Sequence, residues 1–214
     1  MSLTETTLTT PDQNQVIFYE GQNFQGKAYL STLGAEVDIY KSYRHLNDRL
    51  NSVKVGAACK ILAFRHAGFG APTNELNTDT GNINVGGMSA FVVLNKVGHH
   101  ALLFTFDDST DLRRSMTLQS AGFGSVTQPN PEPEQGIDPN IPRAFVTLKE
   151  TDIETKPVVT AIFVRKSNGE YESPNGSLHF YWKDGKPHAK NIPEYESASL
   201  SYTQEGNLFK FTWK

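Results

Sequence analysis

The feature that most constrains this chain is an aromatic hairpin motif, followed by a serine, that occurs twice. "YEGQNFQG" sets Tyr19, four further residues, then Phe24 and Gly26. In a hairpin that folds back on its own sheet, such an aromatic pair closes the fold, and the glycine takes a backbone angle that other residues resist. Folding back leaves amide groups in need of partners, and Ser52, on a later strand, is placed to cap them. The half-repeat returns in "FRHAGFGA", with Phe64 and Phe69, and in Ser89, 37 residues after Ser52. Two units in series predict a two-motif Greek-key sandwich with pseudo-twofold symmetry.

The rest of the pattern agrees with an all-β chain. Its apolar runs are short, rich in Val, Phe, Tyr and Ile, and separated by Gly, Asn, Asp and Pro. Residues 1–14 read as a disordered arm. Residues 15–96 form the first domain, with strands expected in "VIFYE", "KAYLS", "EVDIY", "SVKV", "CKILAFR" and "SAFVVLN". Residues 97–214 hold seven further runs, from "ALLFTF" to "NLFKFTWK", which suit an immunoglobulin-like β-sandwich. Cys59 is the sole cysteine, so that sandwich has no internal disulfide and Cys59 reads as a buried small hydrophobe. His99 and His100 are expected in the interdomain linker, and Asp107–Asp108 in a turn. The proline-rich stretch 122–143 reads as a long, stiffened loop, either a solvated connection or a docking element.

Several function classes are set aside. A net charge of −3 without a polybasic segment argues against nucleic acid. No nucleophile elbow, zinc-protease helix or phosphate loop is present, and the histidines have no spacing that makes a triad or a metal site, so no enzyme is expected. The polar, Thr-rich start lacks a signal peptide's apolar segment.

One corner remains. In "HLNDRLNSVKV", Asn47, Asp48, Asn51 and Ser52 stand directly before an apolar-alternating run. Turn hydrogen bonding alone accounts for such residues, and so does a cation site. With its paired aromatic hairpins, the N-terminal half resembles the βγ-crystallin family. That family's calcium signature is two Asn/Asp, two spacers, a Ser/Thr and the capping Ser. "NDRLNS" fits it with Asn51 in place of the hydroxyl. "NVGGMS" keeps Asn84 and Ser89 but has Val85 and Met88 where oxygens are expected. The resemblance implies one moderate or weak Ca2+ site that draws on Asn47, Asp48, Asn51 and Asn84. Backbone carbonyls and acidic residues such as Glu20, Glu75 or Asp79 would complete it.

Through "NDRLNSVKVG" and "VGGMSAFVVL" in the first half and "NGSLHFYWKDGKPHAK" and "SLSYTQEGNLFKFTW" in the second, the chain resembles the calcium-dependent cell-adhesion proteins of social amoebae. This implies calcium-modulated adhesion through homophilic contacts, with itself or with a cell-surface protein as partner. It also implies peripheral membrane association, and presence in the cytoplasm and at the cell surface by a route independent of a signal peptide. Two alternatives on the same scaffold are a surface-binding, competitor-directed toxin and a calcium-stabilised cytosolic stress or structural protein.

Overall fold

The structure is a computed structural model that describes residues 3–83, 87–108, 115–120, 144–149, 158–165, 171–172, 178–190 and 200–213. The chain divides into two compact units, residues 1–99 and 100–214.

The first unit begins with β1 (Thr4–Thr6), β2 (Gln15–Tyr19), β3 (Ala28–Thr32) and β4 (Glu36–Asp38). The single-turn helix α1 (Ile39–Ser42) precedes β5 (Ser52–Val55), β6 (Cys59–His66), β7 (Gly70–Leu76) and β8 (Ala90–Asn95). One sheet has the order β1-β3-β2-β5 and the other β4-β8-β6-β7. The motifs interlock. The first motif's β4 pairs with β8 in the second sheet, while Thr80 of the second motif bridges to Val53 in the first sheet. This exchange is the Greek-key return that the two serines predict.

Strand alternation explains where the core lies. Val16 and Phe18 of β2, Tyr29 of β3, Ile61 and Ala63 of β6, and Phe91 and Val93 of β8 point inward as one buried cluster. Phe18 and Phe91 meet across the sheets with ring centroids 4.5 Å apart. Each such ring, fully buried, contributes about 2–3 kcal/mol by removal of apolar surface from water. Cys59 is buried in the same cluster, and burial pushes its thiol pKa up.

Two expectations for this unit need correction, and one strand, β7, was not expected. The N-terminal arm is not disordered throughout: β1 pairs antiparallel with β3, Leu3 is buried in the core, and the Leu3 amide donates to the Tyr43 hydroxyl at 3.1 Å. The run "EVDIY" changes from strand to helix at Ile39, because the Asp38 side chain caps α1 by accepting from the Lys41 amide. β7 lacks a strand-like pattern, since "GAPTNEL" carries Gly70 and Pro72. It is tolerated at the sheet edge, beside a register shift at Ala63–Phe64.

Among the described residues, the second unit's strands are β9 (His99–Asp108), which starts one residue before the division, β10 (Ser115–Ser120), β11 (Ala144–Lys149), β12 (Val158–Arg165), β13 (Tyr171–Glu172), β14 (Leu178–Lys183), β15 (Lys186–Lys190), β16 (Leu200–Glu205) and β17 (Leu208–Trp213). They form one sheet of order β10-β12-β14-β15, with β13 on β12, and a second of order β11-β9-β17-β16. β9 and β17 run parallel, and their partnered rings Phe104 and Phe209 stack with centroids 5.6 Å apart. The Gln204 side chain of β16 donates to the Pro187 carbonyl of β15 at 2.6 Å, tying together the edges of the two sheets. Asp184 and Gly185, both at positive φ, make the tight turn between β14 and β15. His99, His100, Asp107 and Asp108 are strand residues of β9, not linker or turn, because β9 runs on along β17 as far as Trp213. The stretch 122–143 lies outside the described residues.

Candidate functional site

The two aromatic hairpins are the scaffold of the site. In the first, Tyr19 and Phe24 meet edge to face, with centroids 5.8 Å apart. Asn23, Phe24 and Gly26 all have positive φ. Such a conformation is strained for a phenylalanine, so something must hold it. Ser52, fully buried, does so. Its Oγ accepts from the Phe24 amide at 2.9 Å and donates to the Gly21 carbonyl at 2.6 Å. Asn51 adds to the clamp, its Nδ2 donating to the Glu20 carbonyl at 2.6 Å and the Arg49 carbonyl at 3.0 Å. In the second hairpin Phe64 and Phe69 meet at 5.4 Å, and Phe69 again has positive φ. Ser89, buried here, donates its amide to the Phe64 carbonyl, and its own carbonyl accepts from Ile39 and Tyr40.

The residues expected to hold a cation fall into two groups. Asn51 faces the first hairpin through the bonds just described. Asp48 faces the second motif, and Asn47 is bonded to Asp48. The Asp48 amide donates to the Met88 carbonyl at 3.3 Å. The Asp48 carboxylate lies so close over Gly87 that a Cβ there would run into Oδ1 and come within 2.8 Å of Cγ. Gly87, at φ +103°, is needed at this point. Asp48 itself sits in the left-handed region, which Asp and Asn adopt more readily than most residues. Asn47 Nδ2 donates to Asp48 Oδ2 at 2.5 Å. Asn47 Oδ1 is buried and accepts no hydrogen bond. An orphaned buried oxygen is uncommon and needs an explanation. Asn84 lies outside the described residues.

The extra acids behave differently from expectation. Glu20 accepts from the Tyr29 hydroxyl at 2.8 Å and pairs with Arg49 at 3.0 Å. Glu75 pairs with Lys60 at 3.2 Å, and Asp79 accepts from the Val55 amide at 2.8 Å. Among the described residues no three His, Cys, Asp or Glu gather in a metal-holding group. The local electrostatics are those of structural pairs. Burial, then the bond to Glu20 and its charge, push the Tyr29 phenol up to about 12. Burial, then Asp79, raise Tyr19.

Asp38 is a residue that sequence reasoning missed. Its Oδ1 caps α1, and its Oδ2 accepts from the Gly68 amide at 2.9 Å. One carboxylate thus ties the first motif to the second hairpin. The only signal was an Asp directly before a short helical turn.

Comparison with known proteins bears on the first unit. Residues 12–95 match the family model described as Beta/Gamma crystallin. No curated protein sequence matches the chain. Among solved structures, the Abundant Perithecial Protein of Neurospora crassa is 26% identical with a TM-score of 0.64, covering 95% of this chain and 97% of its own. A βγ-crystallin domain of that Neurospora protein, solved in its Ca2+-bound form, is 32% identical with a TM-score of 0.38, covering 42% of this chain and 97% of its own. Spherulin 3a of Physarum polycephalum is 27% identical with a TM-score of 0.38, covering 44% and 96%. Over residues 12–95 this chain carries a domain of the beta/gamma crystallin family.

Proposed function

We propose that the corner formed by Asn47 and Asp48 against Gly87–Met88 binds a single calcium ion weakly, and that the ion modulates adhesion through like-with-like contacts. The observation that carries the calcium reading is Asn47 Oδ1, buried and without a partner beside the Asp48 carboxylate. Asp48, Asn47 Oδ1 and the Met88 carbonyl would supply hard oxygen donors of the kind calcium takes. A single carboxylate places its affinity at the weak end, near 10⁻⁴–10⁻³ M. Ser52 and Asn51 hold the first hairpin and need no ion. The adhesion half of the reading is supported by the resemblance of the two-part sequence to amoebal adhesion proteins. It brings with it an immunoglobulin-like second unit, peripheral membrane association and cell-surface presence.

A second reading is a calcium-stabilised structural protein on the same scaffold, which needs the ion but no like-with-like contact. Beads coated with the full chain separate the two. Clumping in calcium that a chelator reverses supports adhesion. Beads that stay dispersed, while calcium still raises the melting temperature, leave the structural reading. Neither clumping nor a thermal shift would defeat both.

A further inference from the structure

The segment leading into the Asn47 corner is cationic in a chain of net charge −3. Tyr40, Lys41, Arg44 and His45 are all exposed within six residues. Tyr40 is 46% exposed, and the Arg44 guanidinium carbon lies 5.3 Å from the centre of its ring. Among the described residues neither Lys41 nor Arg44 pairs with a carboxylate. The Asp38 side chain is taken up by the Lys41 and Gly68 amides. Two carboxylates flank the patch in sequence, Asp38 two residues before Tyr40 and Asp48 three residues beyond His45. Two unpaired cations beside an exposed, amphipathic ring add little to fold stability, so this face is available for a partner.

We propose that residues 40–45 form a docking surface for the anionic headgroups of a phospholipid membrane. Lys41 and Arg44 meet phosphate and carboxylate groups, and Tyr40 enters the headgroup layer, where a ring with a polar tip is at home. A nucleic-acid site would track several phosphates, and two fixed cations are too few. An acidic protein would need only the charges, and Tyr40 distinguishes the lipid. Calcium on Asp48 would neutralise one of the two flanking carboxylates, Asp38 being the other, so headgroup binding gains with the ion. That last clause rests on the calcium reading, whereas the patch itself does not.

The test is cosedimentation of the full chain with vesicles of phosphatidylserine and phosphatidylcholine, against phosphatidylcholine alone. Binding to the mixed vesicles only is expected, with loss when salt shortens the screening length from about 10 Å to about 3 Å. Lys41→Gln with Arg44→Gln should lower the partition coefficient about 25-fold, at roughly fivefold per charge. Tyr40→Ser should lower it further, and Lys27→Gln, at an exposed site elsewhere in the unit, should leave it unchanged. The proposal is overturned by equal binding to phosphatidylcholine alone, by no binding, by an unaffected double variant, or by capture on heparin but not on vesicles. Binding that is lost in the double variant but equal with and without a chelator supports the patch and removes only its coupling to calcium.

Discussion

Ser52→Ala isolates the part of the corner that needs no ion. The substitution removes an acceptor from the Phe24 amide and a donor from the Gly21 carbonyl, at 2.9 and 2.6 Å. A half-buried backbone group left without its partner costs about 1–2 kcal/mol. Two such groups give about 3 kcal/mol at the middle of that range. Lifting the hairpin off the sheet relieves the left-handed strain at Phe24, worth about 1 kcal/mol. The expected loss is therefore about 2 kcal/mol, or a roughly 30-fold larger open population. The hairpin should open locally rather than strain in place.

Tryptophan fluorescence would miss this, because Trp182 and Trp213 both belong to residues 100–214. Amide hydrogen exchange resolved by residue is the assay, read at Phe24 and, for global opening, at core amides of β2 and β6. Protection should fall at Phe24 and its hairpin neighbours more than in the core. Unchanged protection at Phe24, with stability within about 0.5 kcal/mol of wild type, would refute the capping argument.

Three further outcomes follow from the same geometry. Ser31 is 1% exposed with an unpartnered hydroxyl, so Ser31→Ala should stabilise the first unit by about 1 kcal/mol in denaturant melts read by far-UV circular dichroism. A Cβ at Gly56 would collide with the Asp12 carbonyl and lie 2.6 and 2.8 Å from those of Gln15 and Gln13, so Gly56→Ala should cost about 3 kcal/mol and lower the melting temperature. Tyr29 holds its proton in the fold up to about 12 against an ordinary 10. Its contribution is fully present below pH 10 and is lost as pH rises from 10 to 12, while the unfolded phenol ionises first. Tyr29→Phe should flatten that alkaline loss in melting temperature between pH 10 and 12.

What the sequence made legible is tied to periodicity and to fixed spacings. The aromatic hairpins were readable because Tyr19–Phe24 and Phe64–Phe69 need one spacing to close, and Ser52 because it begins an alternating strand. β7 was hidden because an edge strand tolerates Gly70 and Pro72, which erase the pattern. The switch from strand to helix at Ile39 was hidden because Ile and Tyr suit a strand, and the Asp38 cap overrides them. At the Asn47–Ser52 corner the residue types were legible but not their division. "NDRLNS" reads as one cluster, yet Asn51 turns to Glu20 while Asp48 reaches Gly87 and Met88. That division depends on how the two motifs interlock, a tertiary fact without a local signature. The partners of Glu20, Glu75 and Asp79 are likewise set by cross-strand neighbours rather than by sequence spacing.

The central claim is that Asp48 and Asn47 hold calcium. Calorimetric titration of calcium into the full chain and into Asp48→Asn tests it directly. Asparagine adopts the left-handed backbone as readily as aspartate, removes the charge and keeps one acceptor oxygen in place of two. The account predicts a single weak site in the wild type, with a dissociation constant of about 10⁻⁴–10⁻³ M, and at least tenfold weaker binding in the variant. It also predicts a calcium-induced gain in stability of about 2.7 kcal/mol at a hundredfold excess over that constant. A wild-type chain that gives no heat, or an Asp48→Asn chain with the same isotherm, would contradict it and leave Asn47 and Asp48 as turn residues alone.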